Sequence, residues 1–375
     1  MQPNWHLNLS NPPKKNLYIG LMSGTSADAI DVALVQIESK TIQLIDFIDY
    51  PNPQQTALYQ LNQQPQITLK ALAKLHAQLS HTFADAAQSI IKKHRLTPDD
   101  ILAIGSHGQT IYHAPEYGIS LQIGHPAIIA KRTGIKTAGD FRIDNMAVGG
   151  QGAPLAPAFH HALIQPQQPT LVINIGGIAN ISLLKPEQAP IGFDTGPGNG
   201  LMDELCQKHF NQPYDQNGQQ AAQVKPNTAW LNQLLQDPFF KQAAPKSTGR
   251  EYFNQAWLTR APTSLSALEQ LSTLNQLTVE TLAKAIEQIP ELPTPTPCYI
   301  CGGGAYNTTL IQRLKTRLPK LAIQTTETIG IDPNAIEAMM MAWLAYNRIN
   351  HLPTPLKAIT GAHKDTLLGG LWHPD

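Results

Sequence analysis

Cysteine is nearly absent from this sequence: Cys206, Cys298 and Cys301 are the three in a chain of 375 residues. So few thiols exclude a disulfide scaffold. Cys298 and Cys301 stand as C-x-x-C, but in what reads as a strand, where residues three apart point to opposite faces of the sheet. They read as buried structural thiols and not as a metal or redox pair. An excess of charge is lacking too. Lys plus Arg and Asp plus Glu both number 27, with no block of like charge, so nothing offers nucleic acid a grip. No apolar run approaches the roughly 20 residues of a membrane span, and the opening MQPNWHLNLSNPPKK has no apolar core of a secretion signal. The expected location is the cytoplasm.

Several catalytic signatures are missing as well. No G-x-x-x-x-G-K-[ST] occurs, and the glycine run at Gly196–Gly200 fails G-x-G-x-x-G because Leu201 stands at its last required position. Neither H-R-D nor D-F-G is present, which removes the protein kinases. No H-E-x-x-H or G-x-S-x-G supports zinc or a serine nucleophile. His107, in IGSHGQT, therefore reads as a structural or pocket-lining residue.

What is present is a core. With 42% hydrophobic and 14% charged residues, the chain is expected to form two lobes. Periodicity predicts strands at Leu17–Leu21, Ile30–Ile37, Ile101–Ser106, Thr170–Ile175, Asn180–Leu184 and Cys298–Cys301. Helices are predicted at Leu69–His94, Leu265–Gln288, Thr308–Lys315 and Asn334–Asn347. Gln165–Pro169 and Pro290–Pro297 read as connectors. The alternation is that of an α/β protein. Leu17–Val35 and Thr170–Leu184 echo each other, each a strand, a small-residue turn and a second strand. The echo implies two similar lobes of mixed sheet flanked by helices around a central cleft, a hairpin tip from each pointing inward.

Those tips carry the chemistry. Unshielded N–H groups in a Gly/Ser/Thr turn form anion-binding concavities. In the first hairpin Gly24 allows close backbone approach, Ser23, Thr25 and Ser26 offer hydroxyls, and Asp28 and Asp31 suit a hydrated Mg²⁺ beside phosphates. An ordinary tight turn is the alternative. Asp194, in IGFDTGPGNG, precedes a glycine turn leading into a helix. Its residues alone leave open a base presented into a cleft and an Asx-turn cap, the cap being the commoner outcome.

LMSGTSADAID, IGSHGQT, DFR followed by GGQGAPLAP, NIGGIANIS, GFDTGPGN, PKSTGRE, CGGGAYN and ITGA, in that order along nearly the whole chain, resemble the anhydro-N-acetylmuramic acid kinase family. The resemblance implies the two-lobed fold of sugar kinases and actin-like ATPases, a homodimer, and ATP-dependent conversion of 1,6-anhydro-N-acetylmuramic acid and water into N-acetylmuramic acid 6-phosphate and ADP. Gly24, Thr25, Ser26, Ala27, Asp28, Ala29, Ile30 and Asp31 match its ATP-phosphate segment. Gly176 and Gly177 form the second phosphate hairpin. Gly302, Gly303 and Gly304 match the nucleotide-side turn, Thr110 and Glu337 the anhydrosugar site, and Asp194 the catalytic carboxylate. The lobes are expected to divide as 1–138 with about 346–375, and 139–345. Two departures stand out. Ala29 replaces a usual glycine, a strain of roughly 1 kcal/mol if φ is positive there, and Asn145 replaces a usual aspartate, with Asp144 just before it.

Overall fold

The structure, a computed structural model, describes residues 15–24, 27–39, 41–63, 66–244, 246–249, 252–258 and 261–375. The chain forms two compact units, one running to Leu163 and resuming as Gly330–Asp375, the other Ile164–Ile329.

The first unit is built on β1 (Leu17–Met22), β2 (Ala29–Glu38), β3 (Thr41–Pro51), β4 (Ile101–Ser106), a separate hairpin of β5 (Gln109–Ala114) and β6 (Ile119–Ile123), and β7 (Thr137–Gly139). The second unit holds β8 (Thr170–Ile175), β9 (Ile178–Leu184), β10 (Ile191–Pro197), β11 (Thr296–Cys301) and β12 (Leu321–Thr325), and β13 (Gly370–Trp372) returns to the first. The larger sheet runs β3-β2-β1-β4-β7-β13 and the other β10-β9-β8-β11-β12. Each starts as an antiparallel meander (β1, β2, β3; β8, β9, β10) and continues with parallel strands (β4, β7; β11, β12). The hairpin echo in the sequence is thus the visible part of a duplicated five-strand order.

The central strands β1 and β8 are buried along their whole length, which is why both read as unbroken apolar runs. In β1, alternation sorts the two faces. Leu17, Ile19 and Leu21 join the core with Leu79 and Phe83 of helix Leu69–Lys93. Tyr18 meets the ring of Tyr346, and Gly20 meets the backbone of Ala338, both in helix Ile336–Ile349. That helix packs on β1, β2 and β4, so it belongs to the first unit, and the divisions expected near 138 and 345 fall instead after 163 and 329. Its small residues Ala338, Ala342 and Ala345 lie against Gly20 and Gly105 of that sheet.

Helix starts follow local chemistry. Thr68 caps Leu69–Lys93, Ser266 and Glu269 form a capping box on Ala267–Glu287, and Asn307 caps Thr308–Arg317. Cys206, Cys298 and Cys301 are buried free thiols, and burial pushes Cys298 up to about 12. Among the described residues no helix is long and apolar enough to cross a membrane.

One buried ion pair ties a helix end to the sheet. Asp46 of β3 lies 2.6 Å from Lys93 Nζ and 2.7 Å from His94 Nε2. Burial raises its pKa, but hydrogen bonds from Lys93 and His94 outweigh that and hold it below the ordinary value. A depressed carboxylate contributes stability above its unfolded pKa, lost as pH falls through the folded one. Asp46→Asn is therefore expected to cost about 1–3 kcal/mol at pH 7, with Lys93 partly screened by solvent. In urea unfolding at a series of pH values, that difference should close below about pH 4.

Candidate active site

In the first unit the β1–β2 turn is held from two sides. Ser23 Oγ donates to Gln109 Oε1 at 2.6 Å, and Gln109 Nε2 donates to the Gly24 carbonyl at 3.2 Å. Asn52, at the end of β3, donates from Nδ2 to the Ala27 carbonyl at 2.9 Å. Thr25 and Ser26 lie outside the described residues. Among the described residues other than its chain neighbours, nothing lies within 4 Å of where a Gly24 side chain would begin, so packing does not demand glycine there. The strain expected at Ala29 is absent. Ala29 is extended at the start of β2, opposite Pro51, and the left-handed residue is Ala27 (φ 51°), whose N–H closes a turn onto the Gly24 carbonyl at 3.1 Å. The family's glycine position is thus occupied by a residue that strand geometry suits.

Beside Ile30, which is buried in the core, Asp31 faces Asp49 across β2 and β3. Burial first, then the charges of Asp49, Glu337 and Asp28, push Asp31 up to about 8, and burial with the Asp332 charge raises Asp49 as well. Asp28, Asp31 and Glu337 therefore share one neighbourhood, Glu337 from the first turn of helix Ile336–Ile349. Among the described residues no three His, Cys, Asp or Glu side chains converge to hold a metal ion. Thr110 follows the clamping Gln109 on β5, and its Oγ1 accepts from Gln122 Nε2 at 3.1 Å.

Gln109 and Asn52 were not singled out in the sequence. Gln109 had a signal in IGSHGQT; Asn52 had none. The doubt over Asn145 is resolved by its amide. Fully buried, it donates to Thr360 Oγ1 and accepts from Gly152 N–H, both at 2.9 Å, while Asp144 accepts from Gly369 N–H. This residue staples the glycine loop after DFR to the ITGA turn, and an amide, with a donor group at one end and an acceptor at the other, matches both partners.

In the second unit four segments close on one another. Gly176 and Gly177 turn β8 into β9, and their carbonyls accept from the N–H groups of Gly198, Asn199 and Gly200 at 2.7–3.1 Å. A Cβ on Gly198 would meet the Gly176 carbonyl oxygen at 2.3 Å, so glycine is obligatory for this contact. The Gly302 to Gly304 turn rests on the same strand end: side chains at Gly302 and Gly304 would strike Asn174 and Ile175, while Gly303 is exposed with only Asn199 within 4 Å. Three glycine turns, far apart in sequence, present backbone at one place.

Asp194 sits in that assembly, at a break in the β10–β9 register between Asp194 and Gly196, with Gly196 at φ 145°. Bulges of this kind re-aim a side chain and recur beside active sites. The carboxylate is half-buried. Its Oδ2 accepts from Thr248 N–H at 2.9 Å and its own N–H donates to the Lys246 carbonyl at 3.0 Å, so the PKSTG segment clasps it. The Asx-cap alternative fails: helix Gly200–Phe210 begins at Asn199 with no side-chain cap. Lys246 is itself fixed, its Nζ donating to the Phe239 carbonyl at 3.0 Å and lying 4.6 Å from that ring's centroid.

Comparison with known proteins decides the family. The family description "Anhydro-N-acetylmuramic acid kinase" matches residues 16–374. The chain belongs to the anhydro-N-acetylmuramic acid kinase family. A relative of that name from Hydrogenovibrio crunogenus is 50% identical over 371 residues, covering 98% of this chain and 100% of the relative. Another from Vibrio cholerae is 45% identical over 370 residues, covering 96% and 100%. Among solved structures, a ROK family glucokinase from Streptomyces griseus in complex with glucose and AMPPNP aligns over 88% of this chain and 99% of its own, at 11% identity and TM-score 0.41. The family match takes in both hairpin tips, the Asp194 assembly and the acidic neighbourhood of Glu337.

Proposed function

We propose that this chain transfers the γ-phosphoryl group of ATP to O6 of 1,6-anhydro-N-acetylmuramic acid, with water opening the anhydro bridge, to give N-acetylmuramic acid 6-phosphate and ADP in the recycling of cell-wall sugar. The observation that carries this reading is Asp194, a half-buried carboxylate held by a backbone N–H next to three glycine turns in a chain of this family.

The chemistry follows from the residues. Asp194 takes a proton from water as it attacks the anomeric carbon; the C1–O6 bond breaks, and the freed O6 attacks phosphorus in line. Thr248 N–H keeps the carboxylate aimed. Gly24 in the first unit and Gly177 in the second would each offer backbone N–H to phosphate oxygens, the Gly176 N–H being closed onto the Ile178 carbonyl at 3.2 Å, and Gly302 to Gly304 would take the nucleoside side. Thr110 and Glu337 hold the anhydrosugar. Mg²⁺ would supply charge neutralisation on the phosphates; Asp28 would hold its hydration shell, with Asp31 joining only once ionised, since burial and neighbouring carboxylates push that group up to about 8. A cytoplasmic homodimer completes the proposal.

The test is an assay of purified protein with Mg-ATP, with and without the anhydrosugar, in H₂¹⁸O. Sugar-dependent ADP release with ¹⁸O at C1 of the product is the expected result. ADP release that ignores the sugar, with ¹⁸O in inorganic phosphate, would indicate an ATPase module instead, and turnover only with other sugars would reassign the substrate.

A further inference from the structure

Four residues of the second sheet stand opposite one another, strand by strand. Cys301 of β11 faces Asn174 of β8, Asn174 faces Asn180 of β9, and Asn180 faces Asp194 of β10. Directly opposed residues project to one face of a sheet. Their chain neighbours Ile300, Ile173, Ile181 and Phe193 project to the other, where they join the apolar core. An otherwise apolar sheet thus carries a polar row beside its glycine turns, with Asp194 as the end member.

The members of the row differ in what they touch. Cys301 Sγ lies 3.8 Å from Asn174 Oδ1, and Asp194 Oδ2 accepts from Thr248 N–H at 2.9 Å. Asn180 is half-buried, yet its Oδ1 is closed off and has no hydrogen-bond partner among the described residues. Strand propensity does not favour asparagine inside β9, and a buried acceptor without a donor in a native fold calls for a ligand or water. Direct opposition sets the Asn180 and Asp194 side chains about 5 Å apart at Cβ. An ionised carboxylate and an amide oxygen both only accept, so what joins them must bring two donor hydrogens. Water does, and water is a reactant in the proposed reaction.

Resting on the function proposed above, we infer that Asn180 is a positioning residue for the hydrolytic water. Its Oδ1 accepts one hydrogen of that water while Asp194 takes the other as a proton, which turns an oxygen lone pair toward C1 of the sugar. The new bond joins this oxygen to C1, and the C1–O6 bond breaks with its electron pair left on O6. O6 then bonds to the γ-phosphorus as ADP leaves. The hydrogen held by Asn180 stays on its oxygen and becomes that of the product's anomeric hydroxyl.

The test sets water against methanol, which carries a methyl group in place of the second hydrogen. Methanol can still yield one proton to Asp194 but has none to donate to Asn180. Turnover of the anhydrosugar with Mg-ATP is run in a water–methanol mixture, and the methyl glycoside 6-phosphate and free 6-phosphate are counted by mass spectrometry beside ADP release. Asn180→Val removes the acceptor and keeps a shape that suits a strand. It is expected to lower kcat in water about 10- to 100-fold, to leave KM for sugar and ATP within about twofold, and to raise the methanol share about tenfold over wild type. Asn180→Thr, of the same shape with a hydroxyl acceptor, should recover most of both changes. A merely structural asparagine would slow both nucleophiles alike and leave the product ratio where it was. Thermal unfolding in the same mixture shows whether each variant is folded. An unchanged product ratio in Asn180→Val, whatever its kcat, overturns this inference alone; wild type without sugar-dependent turnover overturns it together with the proposed function.

Discussion

Asp194→Asn is expected to lower sugar-dependent kcat by about 10² to 10⁴, the share that general-base catalysis supplies, with little change in folding or nucleotide affinity. The substitution is nearly isosteric, and an amide oxygen can still accept from Thr248 N–H, now 2.9 Å from Oδ2. Nor does the backbone change: the Asp194 N–H still meets the Lys246 carbonyl, and the β10 bulge depends on Gly196. What disappears is the negative charge that the proposed mechanism uses to take the proton from water. Rate and binding thus separate cleanly. Steady-state turnover with and without sugar, set beside calorimetric nucleotide binding, checks the split. A variant that kept more than about a tenth of wild-type kcat would remove Asp194 from the base role, because a neutral amide cannot perform it.

The largest stability effect is expected at Gly20 and Gly105. A Cβ on Gly20 would lie 1.7 Å from the Ala338 carbonyl oxygen, and one on Gly105 would lie 1.9 Å from that of Met341. Both obstacles are helix backbone, so no trimming of a neighbouring side chain relieves them. Helix Ile336–Ile349 would have to leave the sheet, taking Glu337 with it and parting the tight stack of Ala342 and Ala345. Either substitution to Ala should cost about 3 kcal/mol or more, at the upper end of overpacking. Urea and thermal unfolding provide the measurement, and loss of soluble expression is the extreme form of the same result. Gly24→Ala is the contrast. With open space at its Cβ among the described residues, it should leave unfolding unchanged and, if the proposed phosphate role holds, raise the KM for ATP. An unfolding midpoint for Gly20→Ala within 1 °C of wild type would contradict the close helix contact.

Legibility differed by element for identifiable reasons. The strands at Leu17, Ile30, Ile101, Thr170, Asn180 and Cys298 were readable because central strands concentrate apolar residues, and the long helices because their caps and 3.6-residue period agree. The strand Ile191–Pro197 was not read as such: glycine, aspartate and proline break its pattern, and its bulge obeys pairing with β9 and not local propensity. The edge strand Thr41–Pro51 was missed for a related reason, its polar residues alternating with half-exposed ones. Pro290–Pro297 was taken wholly as a connector, yet β11 already begins at Thr296.

By itself the order of residues determined which segments pair locally, that two similar hairpins open the two halves, and, through the succession of motifs, the family. Tertiary structure alone decided that Thr248 secures Asp194 from 54 positions away, that Gln109 grips Ser23 across 86, and that Asn145 answers Thr360 across 215. It also decided that Ala27, and not Ala29, turns left-handed, and that helix Ile336–Ile349 serves the first sheet. The reason is that local propensity and periodicity act over a few residues, whereas a hydrogen bond between distant segments depends on the path by which the folded chain returns.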